Sequence, residues 1–198
     1  MYQVIGTARS RSMRVFWMLE ELGEEYEILA SGPHSNEIKA VNPSGKVPAL
    51  IVEGTSILDS VAIMQFLADR HGKLTHKPGT VERGIQDSFT NFALDEIDGP
   101  LWTAGKHSFV LPEKLRVPAV KETAKAEFKR AMKVLETRLG DHEFVMGDQF
   151  TVPDILIGHC AGWAAGIKFD MPDGKLADYF KRIRSRPALK RALVKSAL

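Results

Sequence analysis

Cysteine is almost absent from this chain. One thiol, Cys160, in 198 residues excludes an intrachain disulfide framework and a Cys-x-x-Cys redox pair, and leaves too few thiolates for a structural zinc site. No metal site is expected. Charge of one sign is scarce too: 27 basic side chains stand against 25 acidic ones, a net of +2, which does not point to a nucleic-acid partner. Long apolar runs are missing. The chain reaches Arg9, Arg11 and Arg14 without one, so neither a secretory leader nor a membrane span is expected, and the expected compartment is the cytoplasm. What is left, 44% hydrophobic and 26% charged residues, is the composition of an ordinary globular protein.

The first thirty residues read as a β-α-β unit. Tyr2 to Ile5 is short, apolar and β-prone, Val15, Leu19 and Leu22 make one helical stripe that Gly23 ends, and Tyr26 to Leu29 is a second short strand; a crossover this compact favours parallel pairing. Ser31 to Asn42 is polar and broken by Gly32, Pro33 and Pro43, so a loop with at most a short helix is expected there. Val47 to Val52 is a strand led by Pro48, and Glu53-Gly54 turns the chain into an antiparallel partner, Thr55 to Leu58. Asp59 and Ser60 can cap the helix that follows, with Ile63, Phe66 and Leu67 facing the sheet.

Beyond a Gly- and Pro-containing joint at 71–80 the periodicity is helical. Ile85, Phe89, Phe92, Ala93 and Ile97 recur at helical spacing, as do Val120, Ala124, Phe128, Ala131, Leu135 and Leu139. Thr151 and Asp154 stand three residues apart between Phe150 and Ile155, the spacing of a capping box with a hydrophobic staple, although aspartate replaces the usual glutamate. The helix they start carries Leu156, His159 and Trp163. A last helical region, from Leu176 to Leu193, is divided by Pro187, and the seven basic residues that follow Asp178 are read mainly as a solvated face.

The residues with chemical promise cluster at two helix starts. Ser10 and Ser12 lie between a strand and a helix N-terminus, where unpaired amides and the helix dipole favour an anion; the plain alternative is that both only cap the helix. A serine nucleophile is disfavoured, because no G-x-S-x-G elbow is present. At the second start, the amides and the Ser60 hydroxyl can bind a carboxylate while Asp59 meets an ammonium group, so an amino-acid-like ligand would satisfy both signs.

These pieces together resemble the glutathione transferase family. The stretch SRSMRVFWMLEELGEEYE at 10–27 is similar to its first helix and second strand, NPSGKVPAL at 42–50 to its loop and proline-led strand, LDS at 58–60 to its ligand-binding turn, FTVPD at 150–154 to its capping box, and IRSRPALKRAL at 183–193 to its C-terminal ending. The resemblance runs over essentially the whole chain. It implies an α/β plus all-α architecture: a thioredoxin-like, glutathione-binding domain at 1–76, an all-helical domain at 82–198, the active site between them, and a homodimer in the cytoplasm. It also implies glutathione as co-substrate, with no other cofactor, and a small hydrophobic electrophile as second substrate.

Carried onto this sequence, the thiol-activating position falls on Ser10, with Ser12 as competitor. The backbone of Val47, ahead of a cis Pro48, pairs with the cysteinyl portion of glutathione. Asp59 and Ser60 hold its γ-glutamyl end, Lys46 matches the glutathione-binding lysine of the family's GKVP segment, and His34 or Lys39 reaches the glycyl carboxylate. Trp102, Phe109 and Trp163 are candidate electrophile-binding surfaces. The implied activity is conjugation of the thiolate to hydrophobic electrophiles, the chemistry of detoxification. The alternatives are a non-catalytic glutathione-binding or regulatory protein of the same fold, or a glutathione-dependent isomerase or peroxidase.

Overall fold

A computed structural model describes residues 1–197. Two compact units emerge, Met1–Pro78 joined by the segment from Arg184 onward, and Gly79–Ile183. The first unit is built from β1 (Tyr2–Gly6), α1 (Ser12–Leu22), β2 (Tyr26–Ala30), α2 (Asn36–Val41), β3 (Ala49–Val52), β4 (Thr55–Leu58) and α3 (Ser60–His71). Its sheet has the order β2-β1-β3-β4. β1 and β2 run parallel from Tyr2↔Tyr26 to Gly6↔Ala30, and the β1–β3 and β3–β4 pairs are antiparallel. This is the thioredoxin-like arrangement.

Local chemistry explains most boundaries. Gly23 ends α1 at φ 76, a left-handed conformation that glycine reaches without cost, and its N–H bonds to Leu19 O. Asp59 starts α3 by accepting Val61 N–H at 2.9 Å and Ala62 N–H at 3.1 Å on one carboxylate oxygen. One feature of α1 departs from its sequence pattern. A single apolar stripe is expected, yet Met13, Val15, Phe16, Trp17, Met18 and Leu19 are all buried. The reason is that β1, α3 and α9 (Pro187–Lys195) all pack against α1.

The C-terminal helix corrects one expectation. The segment from Arg184 onward packs with the first unit. The basic tail is only partly a solvated face. Arg186 donates from Nε and Nη2 to the two carboxylate oxygens of Glu21 at 2.6 and 2.8 Å. Arg191 donates to Glu20 Oε2 at 2.8 Å and to its carbonyl at 2.9 Å. Lys195 Nζ lies 3.6 Å from the centre of the Tyr26 ring. Forked guanidinium–carboxylate pairs fix geometry as well as charge, so this tail clamps α1.

The second unit is helical: α4 (Val81–Phe92), a π-helical stretch Ala93–Asp98, α5 (Gly99–Gly105), a π-turn Lys106–Val110, a 3-10 turn Glu113–Leu115, α6 (Val120–Leu139), α7 (Val152–Gly166) and α8 (Gly174–Arg184). Pro187 opens α9 and keeps it separate from α8. α6 buries Ala124, Phe128, Ala131, Leu135 and Leu139 of the face its spacing predicts, while Val120 at its start is half-buried. Two departures occur on α4 and its continuation. The helix changes to π-helix at Ala93, and Ile85, expected in the core, is 48% exposed beside the more exposed Val81.

A buried carboxylate organises the start of α7. Asp154 accepts Thr151 N–H at 2.8 Å, Thr151 Oγ1–H at 3.2 Å, Val145 N–H at 3.2 Å and Tyr179 O–H at 2.7 Å. Burial pushes its carboxyl up to about 6 against those bonds, which act in the opposite sense. Tyr179, buried beside it, is held well above its usual value by burial and by the carboxylate.

Candidate active site

The β1–α1 junction gathers the candidates of the first unit at the carboxyl end of β1, where ligands bind in open α/β sheets. Ser10 is half-buried in this turn. Its hydroxyl lies 2.8 Å from both Thr7 O and Ser12 Oγ, and its Oγ accepts Ser12 N–H at 3.1 Å. A hydroxyl has one proton, so it donates to only one of those two oxygens at a time. Ser12 differs. It is the first residue of α1, it has no exposed surface, and it fills the place of a Gly6 side chain: a Cβ at Gly6 would fall 1.9 Å from Ser12 Oγ. Arg11, not either serine, holds the cap position of α1.

The same Cβ at Gly6 would lie 3.7 Å from Val47 Cβ, so the Val47 side chain adjoins the serine turn. The Val47–Pro48 bond is cis. Asn42 shapes the loop before it: Nδ2 donates to Lys46 O at 2.8 Å, while Oδ1 accepts from Ser44 N–H at 3.1 Å and Ser44 Oγ at 2.8 Å. Sequence reading missed Asn42 as an organiser, although an asparagine opening an N-P-S-G turn is a readable signal for such a turn. His34 is drawn to this loop as well. Its N–H bonds to Gly45 O at 2.7 Å, and a Cβ at Gly45 would meet His34 Nδ1 at 2.4 Å. Lys39, on α2, and Lys46 are exposed.

Arg14 connects this region to the second helix start. Fully buried, it donates from Nη1 to Ser60 Oγ at 3.2 Å. Glu20, on the same helix, is engaged by Tyr26 and Arg191. Ser60 is buried, and Asp59 is exposed at a positive φ of 71, a conformation that aspartate tolerates better than most residues. Tyr2, the tyrosine nearest in sequence, lies at the far end of β1 and hydrogen-bonds His71 at 2.8 Å. Within the helical unit, Trp102 and Trp163 come together at 6.5 Å between ring centres, and His159 sits edge-on to Trp163 at 6.5 Å. Among the described residues no group of three or more His, Cys, Asp or Glu could hold a metal ion, and no helix is long and apolar enough to cross a membrane.

Residues 9–70 match the family description "Glutathione S-transferase, N-terminal domain", and residues 118–191 match "Glutathione S-transferase, C-terminal domain". The chain belongs to the glutathione S-transferase superfamily. Among its relatives in the superfamily, it is 26% identical over 188 residues to glutathione S-transferase GstA of Escherichia coli O157:H7, covering 88% of this chain and 89% of that protein. It is 26% identical over 202 residues to the disulfide-bond oxidoreductase YfcG of Escherichia coli K12, covering 93% and 91%. Among solved structures, the glutathione transferase URE2P6 of Phanerochaete chrysosporium, in complex with oxidised glutathione, superposes with a TM-score of 0.82 at 26% identity over 99% of this chain and 96% of that one.

Proposed function

We propose that this chain is a glutathione transferase of the serine type, in which Ser10 stabilises the glutathione thiolate for attack on hydrophobic electrophiles. The observation that carries this is the contrast between the two serines: Ser10 is half-buried, with its hydroxyl proton shared among acceptors, whereas Ser12 is sealed against Gly6. A free cysteine thiol has a pKa of about 8.5, so only a few per cent is ionised at neutral pH. Ser10 turns its proton from Thr7 O to the sulfur, and the positive end of α1 adds to the effect. A combined gain of about 1.4–2.8 kcal/mol lowers the thiol by one to two units. The thiol proton leaves to solvent, the sulfur forms a bond to the electrophilic carbon, and a halide departs with the bonding pair. Ser12 acts as a positioning residue, holding Ser10 Oγ through its own N–H and hydroxyl.

The same reading assigns the rest of the tripeptide. The Val47 backbone pairs with the cysteinyl unit and Pro48 shapes that edge. Asp59 takes the ammonium and Ser60, backed by Arg14, the α-carboxylate. His34, Lys39 and Lys46 serve the glycyl carboxylate, and Trp102, Phe109 and Trp163 the electrophile. The chain works in the cytoplasm as a homodimer, for which the exposed Val81 and Ile85, one turn apart on α4, supply an apolar face. Light scattering on purified protein at micromolar concentration returns twice the chain mass, and a monomer refutes this part.

Ser10→Ala reduces kcat/KM for 1-chloro-2,4-dinitrobenzene at least tenfold and raises the pH at which bound thiol ionises, with the fold intact by circular dichroism. Ser12→Ala has the smaller effect on that ionisation; the reverse order of the two variants defeats the assignment. A second reading, glutathione-dependent disulfide reduction, is favoured by the likeness to YfcG. Serine at position 10 leaves glutathione itself as the attacking thiol in that chemistry. Turnover of a small disulfide faster than of any aryl halide supports it, and retention on immobilised glutathione without either turnover supports a binding protein.

A further inference from the structure

The stretch from Lys106 to Lys121 collects two excesses that the rest of the chain lacks. Four basic side chains, Lys106, Lys114, Arg116 and Lys121, stand there against one acid, Glu113, whereas the other 182 residues hold 23 basic and 24 acidic side chains. The whole positive excess of the chain therefore lies on this stretch. The second excess is apolar. Phe109, Val110, Leu115 and Val117 fall within nine residues, and each is at least 44% exposed. Exposed apolar side chains scattered singly need no partner, but four grouped in one loop mark an interaction surface.

The loop also satisfies much of its own backbone. It runs from the π-turn through the 3-10 turn to the start of α6. Leu111 N–H bonds to Lys106 O at 3.0 Å, Leu115 N–H to Pro112 O at 2.9 Å and Arg116 N–H to Glu113 O at 3.0 Å. Val117 N–H donates to His107 Nδ1 at 3.0 Å, which ties the two ends together, and Arg116 Nε donates to Leu111 O at 2.8 Å. Pro112 and Pro118 have no N–H to satisfy. A backbone that meets its own polar groups can enter a medium poor in water, where an unmet N–H costs most. Apolar side chains on such a loop, with cations beside them, match a bilayer surface with anionic headgroups: the apolar groups enter the acyl boundary while the lysines stay at the phosphates. A nucleic acid uses the cations and leaves the apolar side chains wet. No described helix is long and apolar enough to cross a membrane, so contact of this kind is peripheral.

We propose that the loop 106–121 is a docking surface for anionic lipid bilayers, with Phe109, Val110, Leu115 and Val117 as the inserted side chains and the lysines as the headgroup contacts. The docking is reversible. It goes beyond the transferase reading and does not depend on it.

The test is co-sedimentation of the full chain with vesicles of phosphatidylcholine alone and with vesicles in which about one-third is phosphatidylserine. The wild-type chain partitions at least tenfold more strongly onto the mixed vesicles, and added salt weakens that binding. Leu115→Ser combined with Val117→Ser lowers the partition at least fivefold with the fold intact by circular dichroism. Lys114→Glu combined with Lys121→Glu lowers it at least fivefold and removes most of the salt dependence. Phe109, which the reading above gives to the electrophile, is left in place. Equal partition onto both kinds of vesicle, or onto neither, overturns the proposal. A loss confined to the lysine variant also overturns it, because the surface then serves an acidic protein. A serine variant that keeps its partition but loses mass in light scattering gives the loop to a second copy, and one that keeps its partition but raises KM for 1-chloro-2,4-dinitrobenzene gives it to the electrophile; either result overturns the proposal.

Discussion

Asp154→Ala tests the buried hub at the start of α7. The substitution strands Thr151 N–H, Thr151 Oγ1–H, Val145 N–H and the Tyr179 hydroxyl, four donors that share this carboxylate. An unsatisfied buried donor costs about 1–3 kcal/mol, so four cost roughly 4–12 kcal/mol before relaxation. Against this stands the burial of the acid itself. Raising its carboxyl from 3.8 to about 6 corresponds to roughly 3 kcal/mol against the ionised form at pH 7, and alanine relieves that part. The net expectation is a loss of about 3–4 kcal/mol at pH 7, read as a fall in the urea midpoint at constant slope.

The pH dependence has a definite sign. Because the folded carboxyl titrates above its unfolded value, the folded chain holds the extra proton between about 4 and about 6. The stability contributed by this proton is fully present below the unfolded pKa and is lost as pH rises through the folded one. Asp154→Ala, lacking the group, is therefore worse off relative to wild type at pH 5 than at pH 7, by about 1 kcal/mol for a shift of this size. Tyr179→Phe combined with Asp154→Ala gives a cost below the sum of the two, with a coupling of roughly 1–2 kcal/mol. A total loss under about 1 kcal/mol, or a penalty smaller at pH 5 than at pH 7, refutes the hub as drawn.

Two further outcomes follow from contacts in the first unit. Gly6→Ala drives a methyl into Ser12 Oγ and costs at least about 3 kcal/mol; adding Ser12→Gly restores part of the lost melting temperature, and a double variant no better than the single one contradicts the contact. Arg186→Met removes the fork on Glu21, whose carboxylate is almost wholly covered, and lowers stability by about 1–2 kcal/mol, whereas Arg191→Met, more exposed at Glu20, costs less than about 1 kcal/mol. Equal losses from the two arginines in thermal melts argue against the clamp.

The elements of the chain were readable because each is written in its own few residues. The stripe Val15, Leu19, Leu22 with Gly23 behind it, the proline at the head of β3, the aspartate before Ser60 and the apolar face of α6 all act through neighbours within about one or two turns, the range over which spacing is informative. The two helix starts likewise led, from local amides and side chains, to the expectation of an anion-binding turn and an amino-acid-binding turn. Ordered along the chain, these signals were sufficient for the superfamily.

What the sequence left open depends on residues far apart in it. Ser10 and Ser12 are equivalent as letters; only the bare α-carbon of Gly6 beneath Ser12 separates them. Arg186 and Arg191 read as solvent charge until α9 lies on α1 and meets Glu21 and Glu20, 165 and 171 positions away. Ile85 follows a core pattern yet stays exposed, because periodicity names the face of a helix and not what stands opposite it. Trp102 and Trp163 join only where α5 and α7 pack. Caps, turns and stripes are settled by covalent neighbours, whereas burial and pairing are settled by chain closure, which brings distant surfaces together and excludes water from only some of them.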